Sequence, residues 1–227
     1  MLLVIEGVLD SADVRHFRDA LVSVTWRDGR DTTGGIARHA KHNRQASDAE
    51  PSVRALGEHL AARLLAHPEF VSAALPKRMH PVRFNRYARA QHYGLHIDAA
   101  VMRLPQTGEP LRSDVSCTVF LCDPDDYEGG ELLIETPFGT QAVKLPAGDA
   151  VVYPASSLHR VTPVTAGERL AGILWLQSLV RSAERRSLLF DLDNSVRDLV
   201  DRLGEADAQV LRLSGVYHNL LREWAEV

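Results

Sequence analysis

The residues best suited to chemistry in this sequence are a histidine and an aspartate two positions apart, in His96-Ile97-Asp98. Side chains alternate across an extended strand with a period of two, so this imidazole and this carboxylate should point to the same side. Both groups are common metal ligands. The tripeptide therefore predicts half of a metal site on one short segment.

A third candidate ligand follows after a further sixty residues, where His159 opens the β-like run His159–Val164. Two histidines and one carboxylate form the facial triad of non-haem Fe(II) oxygenases, which leaves coordination positions open for substrate and oxygen. We therefore predict that His96, Asp98 and His159 bind one iron ion.

A cation stands ten positions beyond His159. Arg169 follows the turn Thr165–Glu168 and begins the apolar strand Leu170–Leu176. A guanidinium group can hold a carboxylate through two parallel hydrogen bonds. Arg169 is thus the candidate to bind a carboxylate-bearing co-substrate near the metal.

Together, these four residues resemble the iron- and 2-oxoglutarate-dependent dioxygenase superfamily. The runs Phe84–Tyr87, Gln91–Asp98 and Glu128–Leu132 are similar to its prolyl 4-hydroxylase-like branch, and more narrowly to the bacterial PKHD-type hydroxylases. The resemblance covers nearly the whole chain. It implies a hydroxylase that converts 2-oxoglutarate, oxygen and a substrate to succinate, carbon dioxide and a hydroxylated product.

The resemblance also implies roles for particular residues. Arg169 would bind the far carboxylate of 2-oxoglutarate, Tyr87 would face that co-substrate, and Tyr93 would line the substrate side. Packing alone is the alternative for both tyrosines, because buried tyrosines usually place a ring in the core. A carboxylate at Asp98 favours hydroxylation over halogenation. Ascorbate as a further cofactor and a link to bacterial iron uptake are also implied.

The substrate is not readable from the residues. The resemblance suggests a prolyl- or lysyl-type side chain, or a siderophore-like small molecule, and the segment Ala99–Asp114 is a candidate lid over the site. Two other classes stay open. One is a non-oxidative jelly-roll metal-binding or cupin-like protein, which would have no use for Arg169. The other is an iron-linked sensor whose turnover is incidental.

Composition indicates a globular protein that binds neither nucleic acid nor membranes. The 227 residues are 45% apolar and 25% charged, with a formal net charge of -4 that attracts neither nucleic acid nor anionic lipid. No apolar run approaches the roughly 20 residues of a membrane span, and Met1–Glu6 does not resemble a signal peptide. Cys117 and Cys122 should lie on opposite strand faces, which indicates reduced thiols and a cytoplasmic location.

Helical periodicity predicts two amphipathic helices in the first part of the chain, up to about residue 76. Asp10 or Ser11 should cap the first, and Pro51 should lie in the first turn of the second, with Pro68 and Pro76 marking its exit. The intervening segment Arg27–Asn43 has no clear pattern and stays unassigned.

From Met79 onward the pattern is β, with frequent turn signals. We expect Glu131–Thr136 and Thr140–Leu145 to form a hairpin, and His159–Val164 to pair with Arg169–Leu179. Gly94 should break the strand before His96, which would separate His92 from the ligands. Gly129, Gly130 and Asp149 are read as turn residues.

These patterns predict an α+β, mainly β fold. The resemblance gives it the form of a double-stranded β-helix, or jelly roll, over residues 1–178, buttressed by the N-terminal helices. Residues 179–227 should form an antiparallel helix pair with one apolar stripe on each helix. This pair either packs on the body or joins a second copy in a homo-oligomer.

Overall fold

The computed structural model describes residues 1–32, 34 and 37–227. Its helices are α1 (Ser11–Val22), α2 (Ala37–Ala40), α3 (Pro51–Ala66), α4 (Pro68–Ala74), α5 (Ala183–Leu203) and α6 (Ala208–Trp224). Its strands are β1 (Leu3–Ile5), β2 (Trp26–Asp28), β3 (Lys41–His42), β4 (Arg44–Ala46), β5 (Pro76–Met79), β6 (Arg83–Tyr87), β7 (His92–His96), β8 (Val101–Arg103), β9 (Pro110–Arg112), β10 (Val115–Phe120), β11 (Tyr127–Gly129), β12 (Leu132–Thr136), β13 (Gly139–Val143), β14 (Ala150–Pro154), β15 (His159–Val161), β16 (Val164–Gly167) and β17 (Arg169–Ser178).

The starts of the first two long helices follow the predicted signals. The carboxylate of Asp10 caps α1 by accepting hydrogen bonds from the backbone N–H groups of Ala12 and Asp13, both at 2.8 Å. Pro51 opens α3, where a missing N–H has no consequence. Pro68 was expected only to end this helix. It opens α4 instead, because proline suits a first helical turn as well as a helix boundary.

The strands form two main antiparallel sheets. The larger sheet has the order β1-β14-β10-β17-β6-β4-β2, with β5 also paired to β17, and the smaller has the order β13-β12-β15-β7-β3. Two short pairs, β8 with β9 and β11 with β16, complete the β structure of the described residues. The fold is therefore a mixture of helices and antiparallel sheet, as the sequence predicts.

One face of the larger sheet is covered by helices. Phe84 on β6 packs in a core that includes Phe17 of α1 and Leu60 of α3, all fully buried. Gly172 on β17 lets α3 approach closely, since a Cβ atom there would lie 2.5 Å from Cδ2 of Leu60. The N-terminal helices thus support this sheet from behind.

The opposite face of the larger sheet packs against the smaller sheet. Tyr87, Phe120 and Tyr153 come from the larger sheet and contact a second buried cluster that includes Ile134 and Val161 of the smaller one. Because side chains alternate, strands β6, β10 and β14 of the larger sheet supply side chains to both cores. The space between the two sheets is where the candidate ligands lie.

The predicted hairpin of Glu131–Thr136 with Thr140–Leu145 is confirmed as β12 and β13, which meet at Thr136 and Gly139. The predicted pairing of His159–Val164 with Arg169–Leu179 is wrong. β15 pairs with β12 and β7 in the smaller sheet, whereas β17 lies in the larger one. Pro163, which has no N–H to donate, separates β15 from β16, and the chain then crosses between the sheets.

The expectation that Gly94 breaks the regular strand is confirmed in part. Gly94 lies within β7, but the pairing of this strand with β15 shifts register between Tyr93 and His96. Its lack of a side chain also serves packing, because a Cβ atom there would lie 3.1 Å from the Cβ atom of Ala40. The glycine therefore allows α2 to approach the strand that leads to His96.

The segment Arg27–Asn43, unassigned from sequence, contains a 3₁₀ turn at Gly29–Thr32, the short helix α2 and strand β3. Its residues 33, 35 and 36 lie outside the described residues.

The C-terminal helices form the predicted pair and pack on the body. Leu189 of α5 is fully buried with Leu75 and Val180, and Tyr217 and Trp224 of α6 pack against this cluster. A homo-oligomer through the same helices stays a prediction. None of the helices in the described ranges is long and apolar enough to cross a bilayer.

The packing of α3 on the larger sheet gives a test of the fold. Leu60→Ala should lower the free energy of unfolding by about 2–5 kcal/mol, because it leaves a cavity over Gly172. Leu65→Ala is the matched control on the same helix, since this side chain is 48% exposed and should change stability by less than about 0.5 kcal/mol. Urea unfolding measures both values. Equal losses in the two variants would contradict the assigned face of α3.

Candidate active site

The structure brings His96, Asp98 and His159 together, as the spacing predicts. One ligand atom from each lies within 4.8 Å of the others. Nε2 of His96 is 4.0 Å from Oδ1 of Asp98, and Nε2 of His159 is 3.8 Å from Oδ2. His96 ends β7 and faces His159 directly across the pairing with β15. The antiparallel register of these two strands therefore creates the cluster.

Both imidazoles are held in one tautomer by the same local contact. Nδ1 of His96 lies 2.8 Å from the carbonyl oxygen of Gly94, and Nδ1 of His159 lies 2.9 Å from that of Ser157. A carbonyl oxygen can only accept a hydrogen bond, so Nδ1 carries the proton and is the donor. The lone pair of each Nε2 is then free for a metal, which is the usual arrangement around ligand histidines.

Burial keeps one of these imidazoles neutral. Desolvation, followed by the proximity of His159, lowers the pKa of His96 to about 4. A neutral imidazole is the form that binds a metal, so His96 is prepared as a ligand at neutral pH.

Aromatic rings fix the planes of both histidines. Tyr93 stacks on His96 with ring centroids 3.6 Å apart and an angle of 16° between the planes. Tyr153 meets the edge of His159 with centroids 5.2 Å apart. These contacts restrict rotation of the imidazoles, which favours a preformed site.

A buried serine holds the carboxylate. The hydroxyl of Ser116 donates a 2.6 Å hydrogen bond to Oδ2 of Asp98. Ser116 lies on β10 of the larger sheet and is almost fully buried. The larger sheet, through Ser116, thereby orients Asp98, which follows β7 of the smaller sheet.

Arg169 lies in the same buried cavity as the three candidate ligands. It is only 2% exposed, with its guanidinium carbon 5.4 Å from the centroid of Tyr87 and 5.2 Å from that of Phe120. Its Nε is buried and has no hydrogen-bond partner. A buried cation with an unpaired donor is costly unless an anion binds there. The residues present therefore fit a carboxylate-bearing co-substrate beside a metal ion.

The two predicted tyrosines take different positions. Tyr87 is buried directly opposite Arg169 on the adjacent strand β6, and burial raises the pKa of its phenol. Tyr93 is partly exposed and lines both the buried cavity and the wider cleft above it. Tyr87 thus lies on the Arg169 side of the site, and Tyr93 lies between its two compartments.

Sequence reasoning missed several polar residues on the inner face of the larger sheet. Ser116, Thr118, Asn85 and Tyr153 all line the cavity. Ser116 and Thr118 alternate with apolar residues in Val115–Phe120, and this period-two pattern was the available signal. It shows that the two residues share a face, but not that this face meets the metal ligands.

The buried cavity opens into a larger cleft of about 770 Å³. His96 and Asp98 lie at the base of this cleft, and Met102 and Arg103 of the hairpin β8–β9 form part of its wall. The segment predicted as a lid is thus a short two-stranded hairpin beside the opening. Its movement stays a prediction.

Comparison with known proteins gives matches along most of the chain. Residues 82–177, which include all three candidate ligands and Arg169, match the 2OG-Fe(II) oxygenase superfamily. Residues 184–226 match the C-terminal domain of PKHD-type hydroxylases. A PKHD-type hydroxylase of Stenotrophomonas maltophilia (strain R551-3) is 53% identical over 227 residues, covering 100% of both chains.

Solved structures show the same fold at low sequence identity. A prolyl-4-hydroxylase of Pseudomonas putida has a TM-score of 0.53 and 19% identity, covering 78% of this chain and 92% of its own. HygX from Streptomyces hygroscopicus, solved with nickel, 2-oxoglutarate and hygromycin B, has a TM-score of 0.53 and 20% identity, covering 78% and 82%. Likeness at this level concerns the fold.

The contact between Ser116 and Asp98 predicts a specific effect on metal binding. Ser116→Ala should weaken Fe(II) binding by about 10- to 100-fold, because the carboxylate loses the group that orients it. Anaerobic titration with Fe(II) measures this affinity.

Ser72→Ala is a matched control, since Ser72 is buried and donates a hydrogen bond of the same 2.6 Å length to Asp193, between α4 and α5. It should lose comparable stability without losing metal affinity. The positioning role would be refuted if the two variants bound Fe(II) equally well.

Proposed function

Because the chain belongs to the PKHD-type hydroxylases of the 2OG-Fe(II) oxygenase superfamily, we propose that His96, Asp98 and His159 hold its iron. As a member of this family, the protein is an Fe(II)- and 2-oxoglutarate-dependent hydroxylase. The observation that supports the ligand assignment is the cluster of three ligand atoms within 4.8 Å, with both histidine Nε2 atoms turned inward.

Arg169 is proposed to bind the carboxylate of 2-oxoglutarate that lies far from the iron. Its burial between aromatic rings and its unpaired Nε support this role. Tyr87 would form a wall of the same compartment, opposite Arg169. The guanidinium is well suited to the task because its planar donors match a carboxylate.

The bound Fe(II), together with 2-oxoglutarate and oxygen, supplies the oxidising power for C–H hydroxylation, with succinate and carbon dioxide as the other products. The protein's part is positioning. Ser116 fixes the carboxylate of Asp98, and Tyr93 fixes the plane of His96. The buried cavity restricts water at the site, and the cleft above it admits the substrate. The substrate's C–H bond would therefore approach from the cleft side, with Tyr93 at the boundary.

We propose further that the two main sheets form a double-stranded β-helix. Antiparallel pairing throughout and the shared core between the sheets support this arrangement. Both cysteines are buried and free, which supports a reducing, cytoplasmic location. Ascorbate use and a link to iron uptake stay predictions from the family resemblance.

The alternative of a non-oxidative, cupin-like metal protein is less well supported. Such a protein would have no use for a buried arginine with an unpaired donor, and the matched family is one of oxygenases. Iron-dependent release of succinate from 2-oxoglutarate separates the two functions.

The role of Arg169 predicts a change in co-substrate affinity. Arg169→Lys keeps the charge but loses the planar donors, so the KM for 2-oxoglutarate should rise about tenfold or more. Succinate release at increasing 2-oxoglutarate concentrations measures it.

Arg86→Lys serves as the control, because Arg86 lies on the other face of β6 and stacks on Trp26. Its KM should match that of the native protein. An unchanged KM in Arg169→Lys would place the co-substrate anchor elsewhere.

A further inference from the structure

The cleft above the candidate ligands has an excess of positive charge. Lys41, Arg83 and Arg103 line it, whereas Asp98 is the one acidic residue among the described lining residues. In the proposed function, Asp98 is already committed to the iron. Within the described lining, three cations thus face a single carboxylate, which the proposed function assigns to the iron.

Two of these cations converge on one residue. Nζ of Lys41 lies 3.3 Å from the hydroxyl oxygen of Thr32, and Nη1 of Arg83 lies 3.4 Å from its carbonyl oxygen. The ring of Trp175, 5.7 Å below the guanidinium carbon of Arg83, fixes the plane of that group. The side chains come from β3 and β6 on different sheets, so the cleft brings them together.

Lys41 and Arg83 are both removed from water by burial, and their positive charges repel each other. Lys41 is 4% exposed, and burial followed by the proximity of Arg83 lowers its pKa to about 8. Arg83 faces the carboxylate of Asp48 at 3.8 Å, beyond hydrogen-bond distance, and its buried Nε has no hydrogen-bond partner. Asp48 is itself about half exposed to water, which weakens the attraction. A bound anion would relieve both the desolvation and the repulsion.

The same cleft has an apolar wall next to the metal ligands. Leu95 and Ile97 flank His96 and are 49% and 54% exposed, and Leu158 precedes His159 and is 36% exposed. Exposed apolar side chains grouped in a cleft commonly mark a binding surface. A substrate that covers them must itself carry an apolar portion.

We propose that the substrate is an amphipathic carboxylate, whose anionic group binds Arg83 and Lys41 and whose apolar body covers Leu95, Ile97 and Leu158. This assignment rests on the proposed function, because it places a C–H bond of the apolar body above His96, Asp98 and His159. Arg83 is then a determinant of substrate specificity, separate from Arg169, which binds the co-substrate.

The test uses one pair of probes that differ in charge. N-acetyl-L-leucine and its neutral amide are titrated calorimetrically into the full chain, anaerobically, with Fe(II) and saturating 2-oxoglutarate. We expect the acid to bind about tenfold more tightly or better, since hydrogen bonds between charged groups are stronger than those to a neutral amide. Arg83→Gln should reduce this preference to about twofold or less. Arg86→Gln, on the opposite face of β6, should retain it.

The visible charge-transfer band of the iron–2-oxoglutarate complex is read first in each sample. Its absence from the native protein would refute the proposed function and this assignment with it. Loss of the band on adding the acid would show competition at Arg169 and would overturn the substrate assignment alone. The substrate assignment would also be overturned if the native protein bound the acid and the amide equally well, or bound neither of them. This outcome needs only the native protein, so it does not depend on whether Arg83→Gln folds. A preference that survives in Arg83→Gln would contradict the role of Arg83.

Discussion

The site depends on the pairing of β7 with β15, which sets His159 directly opposite His96. The Nδ1–H of each imidazole donates a hydrogen bond to the carbonyl two residues earlier in the chain, so both Nε2 atoms are available on the inner side. Asp98 follows β7 closely enough to complete the group. A shift of one residue in this register would move one histidine to the other face of the sheet. The candidate metal site is therefore a direct consequence of strand register.

The larger sheet supports this register by using its two faces differently. Along β6, Phe84 faces the helices, whereas Asn85 and Tyr87 line the cavity. Ser116 on β10 and Arg169 on β17 reach the same cavity from neighbouring strands. The helices buttress one face of this sheet, while the other supplies the groups that orient the candidate ligands and that we propose to bind the co-substrate.

Local patterns in the sequence predict the four longer helices α1, α3, α5 and α6, the longer strands and the three candidate ligands, because caps, periodicity and ligand types are short-range signals. The short helices α2 and α4 gave no such clear pattern. The partners of the strands were harder. β15 was assigned to the wrong neighbour, since nothing local states that the chain changes sheet after Pro163. For the same reason Ser116 was missed: its alternation places it on a face, but only the folded chain brings that face to Asp98. The close contact of Gly94 with Ala40 could not be predicted, because it is a tertiary feature.

One spectroscopic measurement tests whether His96, Asp98 and His159 would hold an iron ion to which 2-oxoglutarate binds. Fe(II) and 2-oxoglutarate are added anaerobically to the native protein, to His159→Ala and to His92→Ala, whose side chain lies on the same strand as His96 but outside the ligand group. We predict a visible charge-transfer band in the native protein and in His92→Ala, and none in His159→Ala. A band of native intensity in His159→Ala, or no band in the native protein, would contradict it.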